Sequence, residues 1–239
     1  MSKKVVVICT SLRTNSNSEA LAKEFVKGAE AAGHDVEYIS LKGKSIAFCI
    51  GCLACQSKGH CIFNDDALPI TEAVLNADVV VWATPIYYYE MAGQMKVLID
   101  RMNSMFPKDY KFREVYFLAT AADNGSYTPE RALAGLTGWI DCFEKAKLAG
   151  SLFCGGVNAA GAAAAASCRR LTSSALRLNR APHIEQQKAD ALRKCEASAF
   201  YFYLSCLSMN TLVNPIQQFK FTSRTISNGN KHISQFASV

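Results

Sequence analysis

The sequence predicts a doubly wound parallel α/β sheet with an irregular C-terminal extension. Three observations carry the prediction. Short unbroken apolar runs recur along residues 1–157, segments of helical period separate them, and the rhythm stops where a fifth helix is due. A strand covered on both faces has no polar face to show, so it reads as a continuous run. Alternation of such runs with amphipathic helices marks a parallel sheet with helices on both sides.

Val5 to Cys9 is the first run. Leu21, Phe25, Val26, Ala29 and Ala32 share one helical face, and Gly33 stops that helix by taking the left-handed turn that other residues resist. Val36 to Ile39 is a second strand, and Ile70, Ala73, Val74 and Ala77 mark a second helix. Val79 to Ala83 follows as a buried strand, then a helix carrying Met91, Met95, Leu98, Ile99 and Met102 on one face. Val115 to Ala119 is the fourth strand, Leu133, Leu136, Trp139, Ile140 and Phe143 the fourth helix, and Leu152 to Cys154 the fifth strand. Residues 158–239 break the pattern with alanines over 161–167, a ragged helix over Ile184–Leu207 and an aperiodic end. Two readings stand for this tail. Either the reading frame shifts near Gly161 and leaves unselected, partly disordered polypeptide, or the extension is real and its helix packs where the missing one belongs.

Composition narrows the classes. Half the residues are hydrophobic and 19% are charged, enough for a sizeable core and too few charges for wholesale disorder. No apolar run approaches the roughly 18 residues of a membrane span. Met1 to Lys4 with the run after it imitates a leader peptide, but five apolar residues fall short of one, so a cytoplasmic protein is expected. In that compartment ten cysteines read as thiols or metal ligands. The net charge of +6 belongs to the tail: residues 1–157 hold 16 basic and 17 acidic side chains, residues 158–239 hold 10 and 3. Neither a nucleic acid nor a membrane partner is expected for the main domain.

Ligands of such sheets sit beyond the carboxyl ends of the strands. After the first strand come Ser11, Arg13, Ser16, Asn17 and Ser18, with no glycine, so this is no Gly-rich phosphate loop. Hydroxyls, an amide and a guanidinium around a helix N-terminus instead suit a phosphate, and Ser16 with Glu19 three residues on also spells a helix cap. After the third strand, Thr84-Pro85-Ile86-Tyr87-Tyr88-Tyr89 leads to Gly93-Gln94 and then Lys96, Ile99, Asp100 and Arg101. Pro85 stiffens the turn and three tyrosines offer flat surfaces to a planar ring. Thr120, Ala121 and Gly125 after the fourth strand are small enough for close backbone approach.

These two motifs on these two strands resemble the NADPH-dependent FMN reductase group of the flavodoxin-like fold. The resemblance covers roughly residues 3–157 and implies a five-stranded sheet in the order 2-1-3-4-5. It also implies non-covalent FMN, NADPH or NADH as co-substrate, and a homodimer or homotetramer. Ser11, Arg13, Ser16, Asn17 and Ser18 would then hold the phosphate. Pro85 to Tyr89 with Gly93 would wrap the ring, and Thr120, Ala121 and Gly125 would form the third flavin loop. No side-chain nucleophile is expected, since the flavin carries the chemistry. The acceptor would be a quinone, nitro compound, free flavin or protein.

Cys49, Cys52, Cys55 and Cys61 are spaced C-x2-C-x2-C-x5-C. A reduced loop, a disulfide pair, or a zinc site with His60 as rival ligand all remain open on spacing alone, while the compactness favours an iron–sulfur centre. The spacing is similar to that of the iron–sulfur flavoprotein branch of the same group, in which four such cysteines hold a 4Fe–4S cluster, and Asp65 and Asp66 fit that branch too. Two rival functions stay in view: a flavodoxin-type electron carrier without NAD(P)H activity, and a zinc-stabilised binding module.

Overall fold

The computed structural model describes residues 2–163; the remainder of the tail, including the expected Ile184–Leu207 helix, lies outside the described residues. Its elements are β1 (Lys4–Cys9), α1 (Asn17–Ala31), β2 (Asp35–Ser40), α2 (Ala54–Lys58), α3 (Ala67–Leu75), β3 (Val79–Tyr87), β4 (Glu90–Met91), α4 (Gly93–Arg101), a 3-10 turn (Met102–Met105), β5 (Glu114–Thr120), α5 (Glu130–Asp141) and β6 (Lys147–Cys154). The sheet runs β2-β1-β3-β5-β6, all parallel. With the two-residue β4 set aside, this is the expected 2-1-3-4-5 order.

The central strands owe their position to their sequence. Val5 to Ile8 and Val79 to Ala83 are wholly buried, because helices cover both faces of the sheet. One face packs Val5, Val7, Val81 and Leu118 against Leu21 and Phe25 of α1 and against Ala163. The other packs Ile8, Trp82 and Phe117 against Met95 and Leu98 of α4 and Leu136 of α5. Burying one such side chain contributes about 1.5–3 kcal/mol, so each face is a stabilising layer in its own right.

Helix α1 is bounded as its sequence dictates. Ser16 caps it, its Oγ accepting the Glu19 N–H at 3.1 Å. At the other end Gly33 has φ +82°, and its N–H and that of His34 return to Glu30 and Ala29. These paired returns close the last turn and need a residue free to adopt positive φ.

Three details differ from expectation. Met91 does not belong to α4 but to β4, which pairs antiparallel with the end of β3 (Ile86 with Met91, Tyr87 with Glu90). The last strand begins five residues earlier than its apolar run, because β6 is a half-exposed edge strand with a register shift opposite Val115 and Tyr116. Cys142, expected inside a helix as a small apolar residue, caps α5 and is exposed.

Candidate functional site

Sheet register brings three loops to one edge. Cys9 lies beside Ala83, and Pro85 beside Thr120, so the chain leaves β1, β3 and β5 at nearly the same level. Thr10 ties the first two exits together by donating from its N–H and Oγ1 to the Ala83 carbonyl, at 2.9 and 3.3 Å. At the first exit Ser11, Ser16 and Ser18 are buried at the start of α1. The N–H groups of Asn17 and Ser18 lie in the first turn, where no intrahelical acceptor exists, and they carry the positive end of the helix dipole. Arg13 is exposed and donates to the Asn158 carbonyl at 3.0 Å, while Lys42 reaches Thr14 Oγ1 at 2.5 Å.

Asn17 has another occupation. Its Nδ2 donates to Val157 and Ala159 carbonyls at 3.0 and 2.9 Å, and its Oδ1 accepts the Ala163 N–H at 3.0 Å. The side chain thus staples residues 157–163 onto the start of α1. Below the loop, burial pushes the Cys9 thiol up, which keeps it neutral and unreactive.

The second exit is the β3–β4 hairpin. Tyr88 and Tyr89 are its two turn residues, with φ +51° and +66°. That is the type I′ arrangement, normally filled by Asn-Gly, and two tyrosines hold it against steric cost. Tyr88 is 98% exposed, so among the described residues no packing repays that cost. Tyr89 lies 5.9 Å from Tyr127, ring to ring. Ile86 is buried in the core rather than presented at the surface, and Thr84 Oγ1 accepts the Ala92 N–H at 3.2 Å just before Gly93 opens α4. At the third exit Thr120 and Ala121 are buried. Asp123 accepts from Thr128 Oγ1 at 2.7 Å and from the Gly125 N–H at 3.2 Å, bonds that hold its carboxyl below the usual range. Gly155 closes the edge from β6: a Cβ there would fall 2.4 Å from Asn124 Cα, so only glycine fits.

A second site lies at the far end of α4. Cys49, Cys52, Cys55 and Cys61 line one depression with Ile50, Leu53, Ile62, Phe63, Asp100, Arg101 and Asn103. The four thiols are free, and among the described residues their side chains do not converge into a ready-made group of three metal donors. Leu53 holds φ +55° immediately before the helical Ala54. A left-handed residue followed by a right-handed one gathers consecutive N–H groups toward an anion, as around many iron–sulfur centres.

Arg101 anchors this loop. It is buried, and all five of its N–H donors have acceptors. Nη1 donates to Asp65 Oδ2 and the Ala47 carbonyl, both at 2.7 Å. Nη2 donates to Asp65 Oδ1 at 3.0 Å and the Phe63 carbonyl at 3.4 Å, and Nε to Cys61 Sγ at 3.3 Å. Asp65 in turn accepts from the Ala47 and Ala67 N–H groups. Burial alone would raise the Asp65 carboxyl; the Arg101 guanidinium and those two amides outweigh it and hold the group below its ordinary value. Asp66 plays a separate part, pairing with Lys44 and accepting the Ser45 N–H.

Sequence reasoning quoted Arg101 without a role and passed over Asn103 and Tyr127. A signal for Arg101 existed. It stands three residues after Leu98 on the apolar face of α4, where a charge demands a buried partner.

Strand-end loops meeting at the start of α1, with an aromatic hairpin after β3, give the chain a flavodoxin-like arrangement. Residues 3–144 match the NADPH-dependent FMN reductase family, and the chain belongs to that family. An iron–sulfur flavoprotein of Archaeoglobus fulgidus is 36% identical over 99 residues, which cover 41% of this chain and 45% of that protein. The Bacillus subtilis protein YwqN, assigned provisionally to NAD(P)H-dependent FMN-containing oxidoreductases, is 30% identical over 129 residues, 51% of this chain and 68% of that one. The chain thus spans about half the length of the archaeal relative it matches. The NAD(P)H:quinone oxidoreductase of Methanothermobacter marburgensis shares the fold, with TM-score 0.58 and 14% identity over 77% of this chain and 100% of that one. Among the described residues no helix is long and apolar enough to cross a membrane.

Proposed function

We propose that the chain is an FMN-dependent NAD(P)H oxidoreductase that passes electrons to a quinone, nitro compound, flavin or protein acceptor, through a 4Fe–4S cluster on the cysteine loop. The observation that carries the flavin reading is the strained, exposed Tyr88-Tyr89 turn, because strain without internal compensation among the described residues marks a ligand clamp. Bound FMN supplies two-electron chemistry with NAD(P)H, and the cluster supplies one-electron exchange.

The chain's residues do the holding. Ser11, Ser16 and Ser18 hydroxyls, the first N–H groups of α1 and Arg13 bind a phosphate. Pro85, Tyr87, Tyr88 and Tyr89 cover a ring, and the Gly93, Thr120, Ala121 and Gly125 backbones approach it closely. Cys49, Cys52, Cys55 and Cys61 ligate the cluster; the all-thiol donor set and the N–H donors behind it fit that group, and relatives named iron–sulfur flavoproteins support it. Residues 1–157 form this working domain; the basic tail begins at 158, and its first residues, to Ala163, are held on the start of α1. The exposed Phe48, Ile50, Leu53, Ile62 and Phe106 around the cysteine loop are the surface that a second copy covers in a homodimer or homotetramer.

An absorption spectrum of anaerobically purified protein, before and after NADPH, tests the reading. Flavin absorbance that NADPH bleaches, with iron and acid-labile sulfide, is expected. Colourless protein refutes it, flavin indifferent to NADPH leaves an electron carrier, and zinc in place of iron leaves a structural centre.

A further inference from the structure

The end of α4 and the turn after it place two N–H donors against two of the four sulfurs. Arg101 Nε stands 3.3 Å from Cys61 Sγ, and Asn103 Nδ2 stands 3.3 Å from Cys55 Sγ. The Arg101 contact is fixed by its donor's other bonds. The other four guanidinium N–H groups are committed to Asp65, Ala47 and Phe63, so Arg101 cannot rotate away from Cys61 without breaking them. Phe63 also stacks on the guanidinium, 5.0 Å from its carbon to the ring centroid. A cysteine sulfur that ligates a cluster is a thiolate and can only accept, which orients the Asn103 amide with its nitrogen toward Cys55.

We propose that Arg101 and Asn103 are positioning residues that act through Cys61 and Cys55 to raise the reduction potential of the cluster, a role that rests on the cluster reading above. The physical cause is the extra electron. Reduction puts more negative charge on the sulfurs, and an N–H aimed at a sulfur strengthens as that charge grows, so the reduced state gains more than the oxidised one. Arg101 contributes through this aimed N–H more than through its net charge, because Asp65 lies against the same guanidinium and offsets it. A lysine at 101 keeps the charge and loses the directed donor.

The test uses the full-length chain, reconstituted anaerobically with ferrous iron and sulfide. Asn103→Leu is the main variant, close in shape and without the donor; Arg101→Lys is the second. Iron and sulfide per chain are measured, with FMN content as the check on folding, and the cluster is poised with dithionite and followed by electron paramagnetic resonance. Asn103→Leu is expected to keep its iron and to show a reduced-to-oxidised ratio about 2- to 10-fold lower at the wild-type midpoint, the range of one net hydrogen bond. Arg101→Lys shifts in the same direction. Full iron with an unchanged ratio in Asn103→Leu overturns the proposal, as does loss of iron with FMN retained, which would make Asn103 an assembly residue instead. Absence of iron and sulfide from the wild-type chain is a separate result, and it overturns the cluster reading itself.

Discussion

The Tyr88-Tyr89 turn makes a prediction in which stability and binding move in opposite directions. Tyr88 sits at φ +51° with 98% of its surface exposed, so substituting it removes almost no packing. A left-handed conformation costs an ordinary residue roughly 1–2 kcal/mol, and Asn pays less because it tolerates that region. Tyr88→Asn should therefore stabilise the flavin-free protein by about 1 kcal/mol. For a chain of this size that raises the melting temperature by roughly 2–4 °C. FMN affinity should fall about 2- to 10-fold, the worth of one aromatic contact of about 0.5–1.5 kcal/mol. Thermal unfolding of the apoprotein and fluorescence titration with FMN give the two numbers on one preparation. The reasoning fails if the variant is less stable than wild type, since the turn would then carry no strain. It fails equally if the variant binds FMN as well as wild type does, since the strain would then serve no ring.

Other perturbations separate the remaining parts of the site. Arg13→Ala should weaken FMN binding by about 10- to 100-fold, the loss of a charge-assisted bond of about 1.5–3 kcal/mol, with unfolding little changed because the side chain is exposed; unchanged affinity would remove Arg13 from the site. Gly155→Ala should destabilise the domain by about 1–3 kcal/mol in denaturant unfolding, because the new methyl meets the Asn124 backbone. Asp65→Asn leaves the Arg101 charge buried without its counter-ion and should lose about 3–5 kcal/mol of stability at neutral pH. The Asp65 carboxyl is depressed in the fold, so its contribution is fully present above the unfolded value near pH 4 and disappears as pH falls through the lower folded value. The acid limb of the stability profile should accordingly flatten in Asp65→Asn, and an identical limb in both proteins would contradict the pairing.

The strands were legible where both faces are covered, as in Val5 to Cys9, because total burial writes itself as an unbroken apolar run. The edge strand β6 was legible only at its last three residues, since half-exposed positions admit Lys147 and Ser151. The β3–β4 hairpin is not legible in the sequence because its turn lacks the Asn-Gly signal: two tyrosines stand where that pair is usual, and the aromatic choice hides the turn. Serines at the start of α1 could be read twice over, and Ser16 is indeed a cap. The Asn17 staple could not be foreseen, because its partners stand about 140 positions away and are backbone groups without a sequence signature. Arg101 and Asp65 are 36 positions apart, beyond any local period, so only the anomaly of a charge on an apolar face pointed to them.

Arg101 fastens the cysteine loop at residues that are not ligands, Ala47 on one side and Phe63 and Asp65 on the other. Where a metal is the only thing holding a segment, chelation unfolds it. Here the two shores of the loop are moored by the helix through the chain's own hydrogen bonds, so under the cluster reading proposed above the loop would be in place before iron and sulfide bind. On that reading the loaded and the bare protein would share one architecture and differ only at the four thiols.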